Sequence, residues 1–512
     1  MKISPLLLLS LCLSATSLSL AVQAEEAKAA KNTTVQIDAD SVVVTEHETT
    51  VLDQDFSYKA YTGTQPVWNE QGEPTAAIFY TYYERQDVKD RKSRPLLISF
   101  NGGPGSASVW MQIAYTGPKA LNVDSEGYPL QPYGVKQNPY SVLDTADIVF
   151  VNPVNTAYSR VLPGKDGKMP SRDEQGKMFF GVNSDIKYLA EWVNTFVSRY
   201  NRWQSPKYLI GESYGTTRVS GLALALQEQQ WMYLNGVVLV SPTEIGIKRD
   251  GPVDTANRLP YFAATAWYHK ALSSDLQQKD LTDYLPEVEE FTLNTYLPAL
   301  AKGNSLPQAE KQQIAEQVAK YSGLSVKAVL QNNLDINTDF FWKELLRERG
   351  QTVGRLDSRY LGIDKKEAGS EPDYNAELTS WLHSFTPAIN NYLKNELNYK
   401  TDVKYNMFGN VHPWDRSNDN TGENLRQAMA QNPYLHVMTQ SGYYDGATNY
   451  FDAKYNMWQL DPSGKMKDRL SFKGYRSGHM MYLRYDDLRQ SNQDLRDFIK
   501  ATLPKPDQSA KY

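Results

Sequence analysis

Apolar and polar positions alternate along this chain in two different rhythms. Short runs rich in β-branched and aromatic residues come first: "SVVVTE", "FSYKAYTG" and "AAIFYTYYER". Their composition predicts strands, the early ones antiparallel. Then come "PLLISF" (95–100), "DIVFVN" (147–152), "YLIG" (208–211), "GVVLVS" (236–241) and "LHVMTQ" (435–440). These runs are almost continuously apolar, the signature of strands buried on both faces. Between them a helical period appears: Val182, Ile186, Leu189, Val193, Phe196 and Tyr200 recur every three or four residues. The stretch "VSGLALALQEQQW" is also helical in composition. Strands alternating with helices predict an α/β fold with a mostly parallel central sheet.

From residue 246 to 400 the rhythm changes. "PQAEKQQIAEQVAKY", "TDFFWKELLRER" and "AELTSWLHSFTPAINNYLKNEL" are helical, and strand signals are sparse. This segment reads as a helical cap inserted between a first core part, 46–245, and a second, 401–505. Residues 25–45 read as a flexible polar leader that gives way to the first strand-like run. Residues 1–24 have a basic start, a short apolar stretch and small residues before Ala24, the pattern of a cleaved export signal.

Composition narrows the chemistry. The chain has 54 Lys and Arg against 59 Asp and Glu, with no basic block. Nucleic acid is therefore not an expected partner, because phosphate binding needs a basic footprint. Beyond the signal no stretch approaches the ~20 apolar residues of a membrane span, so no stable membrane association is expected after cleavage. The one cysteine, Cys12, lies in the signal. The processed chain then has no disulfide, no thiol nucleophile and no cysteine-ligated metal. An exported chain without disulfides, behind a compact signal, suggests a bacterial periplasmic or secreted protein.

The segment "LIGESYGTTR" places Ser213 between Gly211 and Gly215, after a strand and before a helix. A serine in a strand-to-helix turn between glycines is presented at the rim of a sheet. Serine is a poor nucleophile at neutral pH and needs a base held by a carboxylate. In this architecture the partners follow in the order acid, then histidine, on loops after late strands. Asp445 in "SGYYDGATNY" and His479 in "GHMMY" meet that order. His436 reads as a buried strand residue and His412 as a loop residue; His47, His269 and His383 have no supporting context. "NGGPG" at 101–105 ends a strand and suits an oxyanion loop, where glycine lets a backbone N–H approach developing charge. The second donor would be the N–H of Tyr214. Arg218 is placed below the elbow as an ion-pairing, structural residue.

Taken in order, these segments resemble the serine carboxypeptidases, peptidase family S10, of the α/β-hydrolase fold. "NGGPGS", "NPYS" followed by "DIVFVNPVNTAYS", "GESYG", "SGYYDGATN" and "GHMMY" carry the resemblance across residues 95 to 482. It implies removal of the last residue from a peptide with a free C-terminal carboxylate, with no cofactor and no metal. It implies Ser213 as nucleophile, His479 as general base and acid, and Asp445 as its orienter. Gly103 and Tyr214 would donate to the oxyanion; Asn101, Gly102 and Glu212 would bind the terminal carboxylate. Glu212 and that carboxylate would share a proton, so that turnover favours mildly acidic conditions. The same triad also serves esterases and acyltransferases; Asn101 with Glu212 favours a peptide, since a simple ester has no terminal carboxylate.

The chain departs from the family pattern at several positions. Gly215 and Thr216 replace the usual Ala-Gly after the elbow. Ser99 stands where a tryptophan is common, Ser106 and Thr448 where cysteines are common, and Tyr443 where an acidic residue is common. The hydrogen-bond network that orients Asn101 and Glu212 must therefore be built differently.

Overall fold

The computed structural model describes residues 36–417 and 419–505, with Ser509 and Lys511. The segment read as an export signal, 1–24, and the expected leader as far as residue 35 lie outside the described residues. The rest of the leader ends sooner than expected: β1 (Ser41–Val51) already includes residues 41–45. Its side chains alternate between more and less exposed, and it pairs antiparallel with β2 (Gln54–Trp68). Residues 41–45 therefore belong to the strand that "SVVVTE" predicts and not to the leader.

β3 (Pro74–Arg85), β4 (Leu96–Phe100), β5 (Asp147–Val151), β6 (Lys207–Glu212), β7 (Gly236–Val240), β8 (His436–Gly442) and β9 (Leu470–Tyr475) complete the main strands. Their order is β1-β2-β3-β5-β4-β6-β7-β8-β9, with a short strand at Arg160–Val161 added to β3. The first three strands and the β3–β5 pair are antiparallel; every pair from β5 to β9 is parallel. The runs predicted as doubly buried are so: β4, β5 and β7 have no exposed residue. His436 corrects the sequence reading. It is the half-buried first residue of β8 and holds the Tyr434 carbonyl with its ring.

The chain runs from β4 to β5 on one side, then crosses back to β6 on the other. Loops after β4 and β6 thus diverge at the carboxyl edge of the sheet, where open α/β sheets bind ligands. Register makes the placement specific. Phe100 lies opposite Gly211, and Val240 opposite Glu212. The residues just beyond these three strand ends become neighbours.

Helices α1 (Val182–Arg199) and α2 (Tyr214–Gln229) cover the sheet. α1 keeps the predicted apolar stripe. α2 is buried over nearly its whole length, because it packs between α1 and a later helix, Thr421–Gln431. "GLALAL" suits the middle of a helix covered on most sides, while the buried Arg218 in its first turns is paired with Asp185.

Helices follow one another from Pro252 to Glu396 in the cap segment. Gln308–Ser322 forms as predicted. "TDFFWKELLRER" is helical only to Glu344, with a separate tight turn at Arg347–Arg349. The cap also holds an unpredicted hairpin: two-residue strands at Thr352–Val353 and Leu361–Gly362. Strands this short carry no periodicity to read. Leu259, Phe262, Leu285, Val318 and Phe341 form the cap's apolar cluster together with Tyr444 and Phe451 from beyond β8. The cap is anchored by the same hydrophobic surface that supports the Asp445 loop.

Candidate active site

Ser213 has φ 57 and ψ −128, a conformation that strains a residue bearing a Cβ. The neighbouring glycine makes it feasible. A Cβ on Gly211 would lie 2.2 Å from the Gly215 carbonyl oxygen, so no larger residue fits. Ser213 N–H donates to the Val240 carbonyl at 2.9 Å, tying the elbow to β7. The strain is thus held by the sheet on one side and by the start of α2 on the other. That helix end also brings unpaired N–H groups and a positive dipole to the site.

The glycine loop after β4 closes over the elbow. A Cβ on Gly102 would sit 2.4 Å from the Tyr214 nitrogen. The two chains therefore approach as closely as backbone allows, bringing the Gly103 and Tyr214 segments together. Arg218 fixes the loop from beneath. Its guanidinium pairs with Asp185 at 2.6 Å and donates to the carbonyls of Asn101 at 2.7 Å and Pro104 at 3.3 Å. Both members of this pair are almost fully buried. Arg218 ion-pairs below the elbow, as expected, and holds the glycine loop.

At the other side of the elbow, His479 Nδ1 lies 2.7 Å from Asp445 Oδ2. Asp445 also accepts from the N–H groups of Ala447 at 2.9 Å and Thr448 at 3.0 Å, and from the Thr448 hydroxyl at 2.7 Å. Thr448, standing where the family often has a thiol, has become part of the orienting shell. The His479 backbone is clamped twice: its N–H donates to Leu356 O, and its carbonyl accepts from Ser241 Oγ, both at 2.7 Å. Burial opposes a charge on the ring. Asp445 and then Glu212 outweigh it and hold the imidazole above its ordinary 6.5, with Arg355 acting in the opposite sense.

Ser213 and His479 line the same cavities. The Ser213 hydroxyl and the ring are not hydrogen-bonded to each other. Such bonds are often long before substrate arrives and tighten in the complex.

Glu212 is the third buried ionisable group. Asn101 Nδ2 donates to Oε1 at 2.9 Å, and the Tyr482 hydroxyl donates to Oε2. Asn101 is itself held: its Oδ1 accepts from Met111 N–H at 3.1 Å, so its amide nitrogen must face Glu212. Burial pushes the Glu212 carboxyl up to about 7, against the opposing pull of His479 and of the Tyr482 and Asn101 hydrogen bonds. Tyr482 is the replacement for the missing network members. The sequence offered a faint signal for it, a tyrosine three residues after His479, but nothing in a single loop says which carboxyl it reaches. Ser99, at the tryptophan position, has a buried hydroxyl with no partner, and Tyr443 packs edge-on against Tyr450 instead of joining Glu212.

The site has two cavities that meet at Ser213. One, of about 220 Å³, contains Gly102 and Glu212 and is walled by Trp110, Trp381, Phe408 and Met480. The other, of about 340 Å³, runs past Tyr214 towards Thr243 and Arg249. Arg355 and Leu356, from the cap hairpin, border both. Glu377 holds that hairpin loop: its Oε1 accepts from Leu356 N–H at 2.9 Å. Ser106, at a position where cysteine is common, pairs as an isolated β-bridge with Phe408 and receives the Trp110 indole N–H at 2.8 Å. Among the described residues no cluster of His, Asp, Glu or Cys is arranged to hold a metal ion.

The family model for serine carboxypeptidases matches residues 51–469. Serine carboxypeptidase-like 36 of Arabidopsis thaliana is 28% identical over 196 residues, 37% of this chain and 36% of that protein. The vitellogenic carboxypeptidase of Aedes aegypti is 24% identical over 214 residues, 40% of this chain and 38% of its own. The aligned stretches thus span little more than a third of these curated relatives. Among solved structures, a prohormone-processing carboxypeptidase from Saccharomyces cerevisiae superposes with a TM-score of 0.51 at 14% identity, covering 88% of this chain and 93% of that one. The fold is that of the α/β-hydrolases, and the extent of the family match decides the rest: the chain belongs to the serine carboxypeptidase family.

Proposed function

We propose that this protein is a serine carboxypeptidase that hydrolyses the last peptide bond of peptides with a free C-terminal carboxylate. The observation that carries the reading is Glu212. A buried carboxyl held up to about 7, locked to Asn101 and adjacent to Ser213, suits recognition of another carboxyl group. At mildly acidic pH it is protonated and donates to the substrate's carboxylate; ionised, it repels it.

In this reading Ser213 Oγ attacks the scissile carbonyl carbon while His479 accepts the hydroxyl proton. The oxyanion rests on the N–H groups of Gly103 and Tyr214. The imidazolium then passes its proton to the departing amine, the terminal amino acid leaves, and an ester joins Ser213 to the rest of the peptide. Water, deprotonated by His479, hydrolyses that ester and restores the serine. Asp445 orients the ring and favours its charged form. Gly102 and Asn101 complete the carboxylate site. The cap, 246–400, shapes specificity through the loop bearing Arg355 and Leu356.

Glu212 raises the His479 pKa while ionised. When Glu212 shares a proton with a bound carboxylate, the pair still carries one negative charge, so the imidazole keeps an anion beside it.

The deciding experiment offers blocked dipeptides, their C-terminal amides and short esters to the purified protein. Release of a terminal amino acid from the free acids alone supports the proposal. Equal turnover of amides, or ester cleavage alone, transfers the assignment to an esterase or acyltransferase. Location is part of the same proposal: the pattern of residues 1–24 supports export to a bacterial periplasm or beyond. Among the described residues no helix is long and apolar enough to cross a membrane. N-terminal sequencing of protein from the periplasmic fraction tests it; an intact Met1 overturns the cleavage.

A further inference from the structure

The two cavities at Ser213 differ in chemistry, and the difference assigns a substrate preference. This inference rests on the carboxypeptidase reading. The cavity containing Gly102 and Glu212 receives the terminal residue, because the carboxylate-binding groups are there. The cavity beyond Tyr214 then lies on the acyl side and meets the side chain of the penultimate residue.

Three guanidinium groups from three separate segments converge on the acyl-side cavity: Arg249 after β7, Arg355 from the cap hairpin, and Arg416 from the strand-free segment before helix Thr421–Gln431. Arg249 faces Asp452 at 3.3 Å, yet its Nε is buried without a partner. Among the described residues, the Arg355 and Arg416 side chains have no ion-pair or hydrogen-bond partner. Two carboxylates also face the cavity. Glu244 is exposed to solvent. Asp419 is engaged locally, its Oδ1 accepting from the Thr421 N–H at 3.1 Å and hydroxyl at 2.9 Å. Three arginines thus outnumber two carboxylates in the lining, and Arg355 and Arg416, like Glu244, are exposed to solvent there.

Arg355 is the closest of the three to the chemistry, since it borders both cavities together with Ser213 and His479. A cationic penultimate side chain would meet uncompensated like charge there. An aromatic one would strip water from guanidinium groups and return no hydrogen bond. A carboxylate satisfies them and can be gripped by two planar forks.

We propose that this cavity is a subsite for an acidic side chain, so that the protein preferentially releases the terminal residue from peptides whose penultimate residue is Glu or Asp. Trp110, Trp381, Phe408 and Met480 set a large apolar residue as the matching terminal partner.

The test measures kcat/KM for blocked Glu-Phe, Gln-Phe and Lys-Phe. Glu should exceed Gln by on the order of tenfold, and Gln should exceed Lys. The spread should narrow as salt rises, because the pairing is partly solvent-exposed. The double variant Arg355→Glu/Arg416→Glu should reverse the Glu-to-Lys ratio. Labelling of Ser213 by a fluorophosphonate reports that the variant has folded. Equal efficiency for the three peptides overturns the subsite. So does an Arg355→Ala variant that raises KM by one factor for all three, since that places the cation on the terminal carboxylate. Release from none of them, with labelling intact, overturns the carboxypeptidase reading and the subsite together.

Discussion

Asp445 and Glu212 are both buried carboxyl groups acting on the charge of His479, yet their surroundings differ in kind. Asp445 is met by two backbone N–H groups, a threonine hydroxyl and the imidazole. Glu212 is met by one amide and one phenol, both neutral, and its position is dominated by burial. Converging donors fix the orientation of the first. Burial with sparse neutral partners lets the second keep its proton up to about 7. Two carboxyls close together can thus be set apart by the balance of burial and hydrogen bonding around each.

The largest perturbation of that contrast is Asp445→Asn. It keeps the shape but reverses the tautomer demanded of His479, and kcat should fall about 10⁴-fold with KM little changed. Steady-state kinetics on a blocked dipeptide checks this. Next comes Arg218→Ala, which leaves Asp185 buried without its counter-charge and releases the carbonyls of Asn101 and Pro104. Denaturant melts should show a loss of roughly 3–5 kcal/mol.

Glu212→Gln should move in the opposite direction on stability. Burial raises this carboxyl from 4.5 to about 7. The folded state therefore holds a proton that the unfolded state has released between those values. The stability linked to it is complete below about 4.5 and is lost as pH rises through about 7. Glutamine carries no such penalty, so the variant should be more stable than the parent above pH ~7, by roughly 3 kcal/mol, with the gap closing in acid. Its KM for free-acid peptides should lose its pH dependence, while ester turnover keeps its own. An unaltered KM profile in this variant removes Glu212 from carboxylate binding. The smallest effect is expected from Tyr482→Phe. Losing that donor removes a stabiliser of the ionised form, and the pH at which KM rises should move upward by about one unit or less.

Legibility in the sequence followed the range of the interactions involved. Ser213, the glycine loop and the Asp445–His479 order are local chemistry set at strand ends, and each left a short motif. Helix α1 announced itself because one face packs and the other does not. Arg355 left no motif, and Tyr482 closes "GHMMY" without naming its partner, since each matters only through contacts distant in the chain. The cap hairpin is too short for a period, and the boundary between leader and β1 falls inside a run with no turn residue to mark it. Arg218 shows the intermediate case. Its place near the elbow was readable, but its hold on the carbonyls at 101 and 104 needed the folded loop.

The Ser106–Phe408 bridge has a practical consequence. Here the mouth of the site is stitched by peptide groups, with Gly409 N–H on Gly105 O at 2.7 Å and Ala107 N–H on Met407 O at 3.0 Å. No sulfur chemistry takes part. With one cysteine in the sequence no intrachain disulfide can form, so reductants should leave this protein indifferent at concentrations that disarm cystine-laced enzymes, and it should refold without an oxidant.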